Sequence, residues 1–249
     1  MKKILVALSV AVVGSIGYAN EVSSVHPETT KHHKHWNYKE NGPAHWDKFS
    51  KTCGRGHSQS PINIASSQTV AMDSRYRLQI DADINTMAKV VDNGHSIKVT
   101  PEKAGTITFN GETFQLLQFH FHGKSEHTVD GKQYDMVAHM VHQNPKTKQY
   151  AVVAVFFTKG KASPILDTII NNVGDKTRLN PQDLLPENSS AYYHYLGSFT
   201  TPPCTENVQW YLLKNPKTAS AAQIEHFRKY YTENERPIQK LYGRKIESN

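Results

Sequence analysis

The stretch QLLQFHFHGKSEHTVDGK, residues 115 to 132, sets His120 and His122 either side of a single phenylalanine. Side chains of an extended strand alternate between faces, so residues two apart point the same way. His120 and His122 therefore share one face, and Phe119 and Phe121 take the other. Two imidazoles on one face are either part of a metal site or the polar side of a half-buried strand, and a third converging ligand decides between them. Downstream, YDMVAHMVHQ alternates too, with Val137, His139 and Val141 on one face and Met136, Ala138, Met140 and His142 on the other. A hairpin-like connection through VDGKQY would fold that strand back beside QFHFH, bringing a histidine of its inward face, His139 or His142, up to the pair. Three imidazoles from neighbouring strands leave a fourth tetrahedral position open, as catalytic zinc sites do; structural zinc fills all four from protein. The absence of thiolate and of a carboxylate triad suits zinc, although spacing alone leaves copper or nickel storage open.

The elements that must position these residues are short strands. After Trp36, turn signals recur about every eight to twelve residues: ENGP, GRGHSQSP, DNGH, FNGE, VDGK and QNPKTK. Between them lie runs rich in β-branched and aromatic residues, among them HSIKVT, TITF, FQLLQFHFH, DMVAHMVHQ, YAVVAVFFTKG and VQWYLLK. Two segments read as helices packed outside the sheet. SPILDTIINNV has Ser163 as N-cap and Pro164 in its first turn; in SAAQIEHFRKYYT, Ser220 caps an apolar stripe of Ile224, Phe227 and Tyr231. No internal repeat and no second domain boundary is legible, so the chain reads as one mainly β (α+β) domain over residues 35–249.

Residues 1–19, MKKILVALSVAVVGSIGYA, combine Lys2 and Lys3 with a short apolar run and end on Gly17 and Ala19, the small residues of a secretory cleavage site. The short run argues against an uncleaved anchor, and no other stretch is long or apolar enough to span a bilayer. A periplasmic or secreted protein with no membrane insertion is expected. Residues 20–34 are polar and lack apolar periodicity, which reads as a disordered tail; its histidines, His26, His32 and His33, with His35 just beyond, could also capture a metal loosely. The formal charge of +7 falls once the leader lysines are removed, and no basic run gives grounds for nucleic-acid binding. Cys53 and Cys204 are the only cysteines. In an oxidising compartment they are expected to pair rather than remain buried thiols; the closed loop of about 150 residues would contribute roughly 5 kcal/mol by chain entropy, less any strain.

The ordered motifs HWNYKENGPAHW, SQSPINI, DNGHSIKV, QFHFHGKSEHTVDG, AHMVH, YLGSFTTPPCTENVQW and NERPIQ resemble the α-class carbonic anhydrases, in particular their exported bacterial members. The resemblance covers the chain from about Trp36 onward. It implies a large, twisted, mostly antiparallel sheet with a few peripheral helices and one zinc ion at the bottom of a conical cleft, held by His120, His122 and His139. The expected activity is reversible hydration of CO2 to bicarbonate by attack of zinc-bound hydroxide. Thr200 and Glu126 would orient that hydroxide. Thr200, Thr201, Val141, Val152, Phe199 and Val208 would form the substrate site, with Phe199 where leucine is more usual. His95 would shuttle the proton through water ordered by Tyr38 and Asn93, and His127 would be structural. One departure concerns the third ligand: many members carry an acid two residues before it, and this chain has Val137. A non-catalytic binding module and a periplasmic zinc reservoir are the alternatives, and the oligomeric state, a homodimer included, is open.

Overall fold

A computed structural model describes residues 35–73 and 75–249; the leader and tail readings lie outside them. Eight strands carry the fold: β1 (Thr86–Asp92), β2 (Ile97–Pro101), β3 (Thr106–Phe109), β4 (Glu112–His122), β5 (Met136–Gln143), β6 (Tyr150–Lys159), β7 (Tyr192–Ser198) and β8 (Glu206–Leu213). They belong to a 13-stranded sheet in the order Lys176–Leu179, β1, β2, β4, β5, β6, β8, β7, followed by the short strands Glu247–Ser248 and Val70–Ala71. Neighbours among the long strands run antiparallel except β6 and β8, which are parallel. Three helices flank it: α1 (Lys51–Arg55), α2 (Pro164–Ile170) and α3 (Ala221–Tyr230).

The centre of the sheet is buried on both faces, which is why MVAHMVH and AVVAVFF read as nearly continuous apolar runs. Alternation then sorts side chains into two cores. Phe119, Phe121, Met136, Ala138, Met140, Val153, Val155 and Phe157 face the core that also holds Leu166, Ile169, Ile224 and Phe227 of α2 and α3. Val137, Val141, Val152, Ala154 and Phe156 face the other way, with Tyr195, Val208 and Trp210. Helices α2 and α3 thus cover the face opposite the histidines. Phe121 and Phe227, with ring centroids 4.7 Å apart, tie that cover to the ligand strand.

Three local expectations are revised. β4 and β5 do pair antiparallel, but the VDGK turn closes a separate hairpin between Thr128–Val129 and Lys132–Gln133, in a three-stranded sheet with Asn63–Ile64. Asp130 and Gly131 there have φ of 50° and 75°, as a tight hairpin turn with a right-handed strand twist demands. The excursion between the two ligand strands is therefore a built loop, and it carries Glu126. Helix α3 has the capping box, Ser220 with Gln223, but ends at Tyr230. Tyr231 is extended and leaves the apolar stripe to donate its hydroxyl to Asp92. Ser163 caps α2 in position only, without a side-chain bond. Cys53 and Cys204 form the disulfide, and among the described residues no helix is long and apolar enough to cross a membrane.

His142 lies inside this sheet, its Nδ1 2.8 Å from the Met140 carbonyl. Burial pushes it down to about 4, partly opposed by hydrogen bonds to the Met140 and Ala151 backbone. The folded state then binds fewer protons than the unfolded chain between pH 6.5 and 4, so this contribution is complete above 6.5 and is lost as pH falls through that window. For His142→Gln, denaturant titrations at pH 7 and pH 5 are expected to show a loss of stability on acidification smaller than wild type by about 2 kcal/mol.

Candidate metal centre

The register of β4 against β5 places His139 directly opposite His120, and Val137 opposite His122. One ring nitrogen of each of the three histidines falls within 4.8 Å of the others. Two of the rings are tethered through Nδ1, His120 to Gln118 Oε1 at 3.0 Å and His122 to the Asn234 carbonyl at 2.6 Å. Such tethers fix ring orientation and leave Nε2 for a metal. His122 Nε2 is buried without a hydrogen-bond partner. His139 approaches the same point through Nδ1: Glu126 Oε2 lies 3.5 Å from His122 Nε2 and 3.7 Å from His139 Nδ1. Burial first, then the neighbouring His122 and Lys98, pushes His120 down to about 3. Burial likewise holds His139 well below its ordinary range, with His122, His120 and His127 adding to it. Convergent, neutral and partly unpartnered imidazoles fit a divalent zinc ion, whose ligand histidines must be unprotonated.

Glu126 and Thr200 flank this point and are both buried. The Arg236 backbone N–H donates to Glu126 Oε1 at 2.9 Å, while Oε2 has no hydrogen-bond partner. Burial raises the Glu126 carboxyl; His122, the Arg236 backbone, the Thr200 side chain and the Arg236 charge all oppose it. Thr200 owes its position to a well-anchored loop. Phe199 N–H donates to the Thr205 carbonyl and Cys204 N–H to that of Thr201; Ser50 Oγ holds the Pro203 carbonyl and Gln59 Nε2 that of Cys204. The disulfide fastens the same loop to α1.

Two connected environments border the histidines. A recess of about 30 Å³ is lined by His120, His139, Val141, Val152, Phe199, Thr200, Thr201 and Trp210. Val208 is not on that lining; it is fully buried behind it in the same apolar core. A cavity of about 150 Å³ runs from His120 and His122 to Tyr38, Asn93 and His95. Asn93 shapes the rim turn by accepting from the His95 and Ser96 N–H groups. His127 serves the frame: its Nε2 lies 2.6 Å from the Tyr195 hydroxyl, which in turn lies 2.6 Å from Ser60 Oγ.

Sequence reading passed over four residues that the structure places here. Gln118 could have been found, since it is two residues before His120 and shares its face. Asn234, Arg236 and Trp210 lie within the motifs NERPIQ and YLGSFTTPPCTENVQW, but nothing local in those motifs points to a contact with the histidines. Asn234 holds His122 and Gly123, and its Nδ2 reaches the carbonyls of His95 and Phe121. The departure at Val137 has a clear consequence: His139 Nε2, the nitrogen facing away from Glu126, is buried with no partner, and its ring lies edge-on to Trp210 at 5.0 Å.

Residues 41–249 match the family model for eukaryotic-type carbonic anhydrases. A carbonic anhydrase of Pectobacterium carotovorum is 40% identical over 225 residues, covering 85% of this chain and 90% of that protein. Among solved structures, the α-carbonic anhydrase of Thermovibrio ammonificans in complex with sulfanilamide is similar with a TM-score of 0.78 and 41% identity, over 86% of this chain and 98% of that one. The α-carbonic anhydrase of Photobacterium profundum gives 0.79 and 39%, over 86% of this chain and all of that one.

Chelator competition is expected to show zinc retention lost in His122→Ala and His139→Ala. A carboxylate on the orphaned side of His139, as in Val137→Glu, is expected to tighten zinc about tenfold.

Proposed function

The chain belongs to the eukaryotic-type, or α-class, carbonic anhydrase family, enzymes that hydrate CO2 reversibly, and from that premise we propose the roles of its own residues. The observation that carries the reading is the convergence of His120, His122 and His139 on one point beside Glu126, Thr200 and an apolar recess. We assign these three histidines one zinc ion, which when bound supplies the positive charge that makes water a nucleophile near neutral pH.

The remaining steps belong to the chain. Glu126 is fixed by Arg236 and can only accept while ionised, so it accepts a hydrogen bond from the Thr200 hydroxyl. The Thr200 oxygen then has only lone pairs to offer, and so accepts from the attacking O–H and aims it at the substrate. CO2 is apolar, and Val141, Val152 and Phe199 give it a surface from which water is displaced without loss, with Val208 as backing. Thr201 lies at the junction of recess and cavity, where a charged product can be solvated. His95 receives the proton released at each turnover through water in the cavity it shares with His120 and His122, alongside Tyr38 and Asn93. The Cys53–Cys204 disulfide and the leader at residues 1–19 support export to the periplasm or beyond.

Stopped-flow CO2 hydration on chain carrying one zinc is expected to show turnover; its absence would favour a binding module or zinc reservoir. In weak buffer His95→Ala is expected to lower kcat about tenfold or more, with recovery on addition of imidazole. Indifference at every buffer strength would remove His95 from the shuttle role.

A further inference from the structure

Strand β2 brings to the cleft a charge that none of the roles above uses. Ile97 and Val99 are buried in the helix-covered core, so alternation stands the residue between them, Lys98, on the opposite face. Register puts Lys98 directly across from His120 of β4, and directly opposed residues of an antiparallel pair point to the same side of the sheet. Lys98 is half-buried and borders the cavity of about 150 Å³ together with Gln118, His120, His122 and Thr201. Its charge is felt at the ligands: after burial and His122, Lys98 is the group that weakens proton binding at His120.

No carboxylate answers this charge. Among the described residues Lys98 forms no ion pair, and the cavity lining contains neither aspartate nor glutamate. Two acids beyond that lining are engaged elsewhere, Glu126 with the Arg236 backbone and Asp92 with the Tyr231 hydroxyl. A concave site whose fixed charge is of one sign focuses its field and concentrates counter-ions. The two species that the reaction interconverts differ in this respect. CO2 is neutral and gains little from a nearby ammonium group, whereas bicarbonate carries a negative charge and is drawn to it.

We propose that Lys98 gives this cleft its affinity for anions, holding bicarbonate at the junction of recess and cavity beside Thr201. The proposal rests on the reading of the chain as a carbonic anhydrase and names the residue that sets how tightly its charged partner is held. Lys98 acts by its charge across the cavity and not at the reacting atoms, so it determines specificity and is not a catalytic residue. Bicarbonate as a substrate is captured at lower concentration, and as a product it leaves more slowly. Other small monovalent anions are held at the same place by the same charge.

The test compares zinc-loaded wild type, Lys98→Met and Lys98→Arg at one pH and one low ionic strength, where screening is weak. Two quantities are measured: the Kd of sodium thiocyanate, by calorimetric titration, and the KM of bicarbonate in the dehydration direction. Methionine keeps much of the lysine stem and removes the charge. Lys98→Met is expected to raise both quantities about fivefold, with a smaller change in kcat/KM for neutral CO2. Lys98→Arg, which keeps the charge, is expected to stay within about twofold of wild type. An unchanged thiocyanate Kd and bicarbonate KM in Lys98→Met would overturn the proposal. So would a Lys98→Arg as weak as Lys98→Met, which would trace the effect to side-chain shape. Absence of turnover in wild type would overturn the enzyme reading instead, and the thiocyanate titration would still decide whether Lys98 draws anions into the cleft.

Discussion

The register between two strands is the constraint on which everything else in this molecule depends. His139 stands opposite His120, and Val137 opposite His122, because β4 and β5 keep one offset from Val137 to Val141, before the register shifts at His142. A slip of one residue would turn His139 toward the helix-covered core and bring Ala138 or Met140 to the site. The register is held from the opposite face. Phe119, Phe121, Ala138 and Met140 are buried beneath α2 and α3, so any slip would also expose them and bury polar imidazoles in their place. Hydrophobic packing on one face thereby fixes ligand geometry on the other.

Around that register, distant parts of the chain close in. The segment at Asn234 and Arg236 lies more than a hundred residues beyond the ligand strand, yet it supplies the tether of His122 and the anchor of Glu126. The Arg236 guanidinium bonds Gln59, Ser60 and the Cys53 carbonyl, joining the region beside the disulfide to the centre. Asn234 also spans from His122 to His95, through the His95 carbonyl. Because buried polar groups are costly unless satisfied, such a network sets these elements relative to one another. His139 Nε2 is one of the buried atoms that the network leaves without a partner, beside the apolar core containing Val137 and Trp210.

Much of this was legible in the order of residues. Alternation put His120 with His122 and apart from the phenylalanines; turn signals marked most strands, and Ser220 ahead of an apolar stripe marked the start of α3. What escaped has physical causes. TMAKVVD and YYHYLGS, the strands β1 and β7, break their apolar pattern with lysine, histidine or glycine, so composition did not single them out. Tyr231 keeps helical spacing in sequence but leaves the helix to bond Asp92. VDGK was rightly a turn, but which strands it joined depended on pairing with Asn63–Ile64, a contact more than sixty residues distant.

Which residues could share a face, which cysteines could pair and, through the resemblance of the ordered motifs, the family follow from local periodicity, residue type and order along the chain. The nitrogen left free on each ring, the hold of Asn234 and Gln118 on His122 and His120, the unpartnered Nε2 of His139, and the seat of the His95 ring against Trp36 and His35 come from the folded chain. Those are matters of ångströms between groups far apart in the chain, set by packing and strand register.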